Sequence, residues 1–240
     1  MFQSFVSRWR TLSTVQQVII GMVGALAAYY LFVVGDMFSP ERLLAIAAIL
    51  LIALPVHELA HAAAATWLGD DTPRLQGRMT LNPLAHLDPM GAILILLTGF
   101  GWAKPVQWNP RNVRGDVRTA SIVISLAGPM SNLLMATAAM AALSFFGLTA
   151  PAYVSGFLYW FASINVLLAV FNLIPVPPLD GSHVLFALIP GDTRMIRRQL
   201  SQYGMLFIFL VVFLMPSIIR TPTNAVMSLL ERLFLGAALS

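Results

Sequence analysis

Cysteine is absent from the chain. That rules out disulfides and thiolate metal sites, so any bound metal must be held by His, Asp or Glu. Histidine is itself scarce, with four residues, so a metal site can be assembled in few ways. Charge is equally thin: charged residues fill 10% of 240 positions against 58% hydrophobic, and mean hydropathy is +0.81. No soluble domain needs so much apolar surface, so the composition is that of an all-α polytopic membrane protein. The net charge of +4 resides in short loops between apolar runs, with no aromatic-interleaved basic patch, and nucleic acid is not an expected partner. The length allows one bundle of five or six helices at about 20 residues each.

Five full spans and one hairpin are expected. Met1 to Gln17 carries Arg8 and Arg10 and leads into an apolar run ending near Val34. Ala25-Leu26-Ala27 resembles a signal-peptidase site, but the run continues through Tyr29 to Val33, which suits a retained span better. After a turn at Gly35 to Pro40, the second span covers about Leu43 to Leu68. Arg74 to Leu87 reads as loop or short strand. Asp88 to Pro110 holds an apolar stretch too short to cross, flanked by Trp102 and Trp108, and reads as a re-entrant or interfacial hairpin. The third span runs from about Thr119 to Phe146 and the fourth from about Tyr153 to Ile174, where Pro175, Pro177 and Pro178 must break the helix. A fifth is expected over about Tyr203 to Ile219, followed by an amphipathic interfacial tail from Thr221 to Ser240.

Charge orients this bundle. With a cytoplasmic N-terminus, every basic loop (Arg74 and Arg78; Lys104 to Arg118; Arg194 to Arg198) falls on the cytoplasmic side, provided that Asp88 to Pro110 does not cross. The turn near Ala150 and the C-terminus are then external.

Within the second span stands His57-Glu58-Leu59-Ala60-His61, an H-E-x-x-H motif. On a helix the two imidazoles project from one face and can grip one zinc ion, while Glu58 is placed as a general base rather than a ligand. Ionisable groups in hydrocarbon are costly and normally mark function. Two histidines leave a catalytic zinc one protein ligand short. The candidates are His86, His183, Asp88, Asp180 and Asp192. Asp180 is preferred, because it follows the proline-broken end of the fourth span, and the charge argument puts that end on the same side as His57. Asp88 is more simply the N-cap of a helix starting at Pro89, while His86 and His183 lack a partner at ligand spacing.

The paired motifs, His57 to His61 in one span and Asn172 through Asp180-Gly181 after a later one, resemble the site-2 protease family of intramembrane zinc metalloproteases. Leu81-Asn82-Pro83, Gly101 to Val106 and Ser125 to Pro129 are similar to its compact branch without a PDZ domain. The resemblance covers about residues 43–185. It implies one Zn2+ per chain on His57, His61 and Asp180, Glu58 as catalytic base, and Asn172 as a residue holding the substrate or its oxyanion. Asn132, after Gly128-Pro129, is explained equally well as a polar contact between spans.

The resulting expectation is a single transmembrane metalloprotease domain over residues 1–240, with a C-terminal span and tail over about 203–240. It would be a multi-pass protein of a prokaryotic inner membrane, with the lipid bilayer, a membrane protein substrate and, in an assembled form, a second copy of the chain as partners. A metal carrier could use the same ligands, but would not need a glutamate beside them.

Overall fold

The computed structural model describes residues 39–88, 91, 103–146 and 149–236. The expected first span and most of the Asp88 to Pro110 hairpin lie outside these residues. Every named element is helical, and no strand occurs among the described residues.

The chain enters through α1, Pro40–Ala48, whose Ser39 side chain accepts from the Arg42 N–H while Pro40 occupies the first turn. Both are start signals legible in sequence. A π-helical turn, Ile49–Ala53, joins α1 to α2, Leu54–Trp67, and the three make one apolar rod of 28 residues. The wide turn has a local cause. Pro55 has no N–H to give and its ring collides with the carbonyl four residues back, so the preceding turn loosens rather than breaks.

Two single-turn helices follow, α3 over Thr72–Leu75 and α4 over Pro83–His86. They flank the expected loop, which remains irregular over residues 76–82; each opens with a proline in its first turn, and Asn82 caps α4 by accepting from the Leu84 N–H. Past α4, Leu87 and Ala103 form an isolated antiparallel bridge, and the Lys104 N–H donates to the His86 carbonyl at 2.7 Å. The chain at Ala103 is therefore back beside the point it left at Leu87. Asp88 accepts from the Gly91 N–H, the capping role expected of it.

The long helices are α5, Val117–Phe146, and α6, Ala152–Asn172. α6 ends where the prolines begin, and α7, Asp180–Leu188, starts after them. α5 packs along α6 and against α2 and α7, while α1 lies on α6. Small residues make the α5–α6 approach close: Ala136, Ala139 and Ala162 are buried beside Met140 and Val166. Outside, Leu51, Ile52, Leu134 and Phe145 are exposed. An apolar exterior around a packed interior is what a hydrocarbon solvent requires.

The expected second, third and fourth spans are present among the described residues. Three described helices are long and apolar enough to cross a membrane: Pro40–Trp67, Val117–Phe146 and Ala152–Asn172. The region of the expected fifth span is divided. α8 covers Arg194–Leu214, and α9, Ser217–Leu235, follows a break at Met215-Pro216 with a bend of 62°, so the two supply a fourth span only if Leu206–Val212 and α9 are taken together. α9 is helical where the amphipathic tail was expected. Its Met227 and Leu230 are buried against α5 and α6, while Leu229 and Leu233 are exposed.

Candidate metal centre

α2 delivers His57 and His61 one helical turn apart, so both rings face α5. They meet edge to face with centroids 4.7 Å apart, and their Nε2 atoms approach to 3.1 Å. Both are buried, as is Glu58. From across the bundle, Asp180 at the start of α7 brings Oδ2 to 3.3 Å from both Nε2 atoms. These three residues are a group able to hold one metal ion.

Two glycines make the assembly sterically feasible. A Cβ at Gly128 on α5 would lie 2.3 Å from His61 Nε2 and 2.6 Å from His57 Nε2, so the bare backbone leaves the space in which the imidazoles sit. A Cβ at Gly181 would fall 2.1 Å from the Leu173 carbonyl, so only glycine lets α7 start so tightly against the end of α6. That tight return is what points Asp180 back into the bundle.

The donor set fits a cation. His61 Nδ1 lies 2.6 Å from the main-chain carbonyl of Ile124, which can only accept, so Nδ1 carries a proton and Nε2 is the atom available to a metal. Asp180 Oδ2 is buried and accepts no hydrogen bond. Two imidazole nitrogens and one carboxylate oxygen thus converge on one point, a donor set that suits zinc.

Glu58 stands beside this group without joining it. Its Oε2 accepts from the Val106 N–H at 3.1 Å. The strap carrying Val106 is tied at its far end to Asp70, a fully buried carboxylate that accepts from the Asn109 N–H at 2.6 Å and from Asn112 Nδ2 at 2.9 Å. Asp70 and the backbone donor to Glu58 were not visible as site features in the sequence.

The other sequence candidates separate cleanly. His86 is buried in α4, with Nε2 2.9 Å from the Thr80 carbonyl. His183 Nδ1 accepts from the Arg197 guanidinium at 2.7 Å. Neither belongs to the metal-binding group. Asn172 Nδ2 donates to the Leu168 carbonyl of its own helix at 3.0 Å. Asn132 is a contact between spans, as expected, but one of its partners is His57 Nδ1 at 2.5 Å. Behind it lies Asn165, a buried polar residue that the sequence reading passed over.

Two imidazoles and a carboxylate, with a glutamate alongside and all enclosed by apolar helices, define the class: a metallohydrolase built into a membrane bundle. The sequence model of Peptidase family M50 matches residues 147–216. The chain is 43% identical over 174 residues to the "Putative zinc metalloprotease YwhC" of Bacillus subtilis (strain 168), covering 70% of this chain and 78% of that protein. Rip2 of Mycolicibacterium smegmatis (strain ATCC 700084 / mc(2)155), which carries the same designation, is 30% identical over 175 residues, 71% of this chain and 66% of the relative. Rip3 of Mycobacterium tuberculosis (strain ATCC 25618 / H37Rv) is 32% identical over 142 residues, 59% of this chain and 30% of the relative. No solved structure gives a significant match. The chain belongs to peptidase family M50, the site-2 proteases, and is thereby a zinc metalloprotease.

Proposed function

We propose that this metalloprotease hydrolyses peptide bonds within or near the transmembrane segments of membrane protein substrates. One observation carries the reading: the His57, His61 and Asp180 group lies enclosed among helices of membrane-crossing length, with Glu58 adjacent. In this reading His57, His61 and Asp180 hold one zinc ion, which when bound supplies Lewis acidity towards water and the scissile carbonyl.

The remaining work falls to the chain. Glu58 takes the proton from the attacking water and returns it to the leaving nitrogen as the C–N bond breaks, giving one carboxylic acid and one amine. The Val106 N–H on Oε2 orients that carboxylate and leaves Oε1 for the proton. Asn172 uses one amide hydrogen on Leu168 and keeps a second, which is proposed to hold the substrate or its oxyanion. A substrate helix has every carbonyl internally bonded and must unwind before attack. The short extended stretch at Ala103 and Lys104, already paired with Leu87 and His86, supports pairing with such an unwound segment.

The whole chain is read as one protease domain of a prokaryotic inner membrane, with a cytoplasmic N-terminus. The Leu87–Ala103 bridge supports a re-entrant segment between them, since its two ends meet.

The test is cleavage of a single-span substrate in liposomes, with zinc measured on the same samples. Glu58→Gln keeps size and a hydrogen-bonding oxygen but cannot act as the base, so zinc should be retained while hydrolysis falls by at least about 10²–10⁴-fold. Asp180→Ala should lose zinc as well as activity. A Glu58→Gln protein that cleaves at nearly the wild-type rate would remove Glu58 from this role.

A further inference from the structure

Three polar side chains lie in line behind His57, deep in the bundle. His57 Nδ1 is 2.5 Å from Asn132 Oδ1 on α5, Asn132 Nδ2 is 2.8 Å from Asn165 Oδ1 on α6, and Asn165 Nδ2 is 2.9 Å from the Phe161 main-chain carbonyl. Both asparagines are fully buried, in spans where an unmatched amide is expensive.

The line has a direction, and its far end sets it. The Phe161 carbonyl can only accept, so Asn165 must present its nitrogen there and its oxygen towards Asn132. Asn132 must then give its nitrogen to Asn165, which leaves its oxygen facing His57. An oxygen at that place obliges His57 to carry a proton on Nδ1, so that Nε2, beside Asp180, is the atom available to a metal. The Ile124 carbonyl achieves the same for His61 in one step. Two rings on adjacent turns are thus set in the same tautomer by different means, one through backbone and one through a pair of amides.

We propose that Asn132 and Asn165 form a relay that fixes the tautomer and ring orientation of His57 for metal binding, and that both are positioning residues of this site. The proposal rests on the ligand assignment above. Asn165 records no bond to any proposed ligand, so an effect of its replacement on metal affinity has to travel through Asn132. Partners behind metal-ligating histidines are worth about 10–100-fold in metal affinity.

The experiment is zinc affinity of the purified full chain by competition with a fluorescent chelator at one pH, without substrate. Asn165→Leu removes the acceptor of Asn132 at similar volume and should weaken zinc binding by about 10-fold or more. Asn165→Ser keeps a hydroxyl able to bond the Phe161 carbonyl, preserving the helix if the leucine variant does not fold, but it is too short to hold Asn132, and should weaken zinc similarly. Asn132→Leu should cost about 10–100-fold, and adding Asn165→Leu to it should cost little more, because both act on one path. The Co2+ absorption spectrum of Asn165→Leu should shift, reporting a changed ligand field. Wild-type zinc affinity in a folded Asn165→Ser chain, or additive losses in the double variant, would overturn the relay while leaving the protease reading intact. A wild-type chain that takes up no zinc would overturn both.

Discussion

At the residue scale the site depends as much on what is missing as on what is present. Gly128 has no side chain, and the volume a methyl would fill is occupied by the two imidazoles. Gly128→Ala should therefore abolish stoichiometric zinc uptake while leaving the helices intact, since alanine favours a helix by about 0.5–1 kcal/mol over glycine. Metal analysis beside far-ultraviolet circular dichroism checks this, and full zinc loading of the alanine variant would show the rings can move aside. His57, Glu58 and His61 were legible because their spacing is a local, helical fact. Asn165 was not, since nothing in a string of apolar letters says which neighbour a buried amide will meet.

At the element scale, Val106 to Asn112 form a strap held along α2. Asp70, just past the end of α2, accepts from the Thr72 N–H and hydroxyl, the Asn109 N–H and the Asn112 amide. Burial by itself would raise its pKa, but the Thr72 hydroxyl, the Asn109 N–H and the Asn112 amide outweigh it, and the pKa is lowered. A carboxylate depressed on folding contributes stability that is present above its unfolded pKa and lost as pH falls through the folded value. The thermal midpoint should thus decline on acidification below the ordinary carboxylate range. Asp70→Asn should lower it at neutral pH by the equivalent of about 1–3 kcal/mol and flatten that acid dependence. An unchanged midpoint and acid slope in Asp70→Asn would show that the strap is held elsewhere. Proline and an asparagine cap set α3 and α4 within one turn each at the edges of the expected loop, whereas the strap's anchorage joins residues about forty positions apart.

At the scale of the whole molecule, the ends of the bundle carry different charge. Arg118 at the start of α5 donates to the Gly191 carbonyl at 3.1 Å, so the loop before α5 and the loop before α8 lie at one end. The turn at Thr149 and Ala150 joins the opposite ends of α5 and α6. Single cysteines placed in this cysteine-free chain at Arg111 and Arg198 should label from the cytoplasmic face, and one at Ala150 from the other. Labelling of positions 111 and 198 from opposite faces would break the proposed topology.

Composition and local pattern by themselves determined the solvent of this protein, the helical class, the start of α1, the end of α6 and the H-E-x-x-H pair, and led to a preference for Asp180 over four other candidates. All of these follow from hydropathy, short-range spacing or backbone-breaking residues. Tertiary structure alone decided how the chain beyond Tyr203 divides at Met215-Pro216 and docks α9 on the core. It also decided that Gly128 makes room for the histidines, that Asp70 anchors the strap and that two asparagines stand behind His57. Each of these is a contact between residues distant in sequence, and is set by which helix faces pack together.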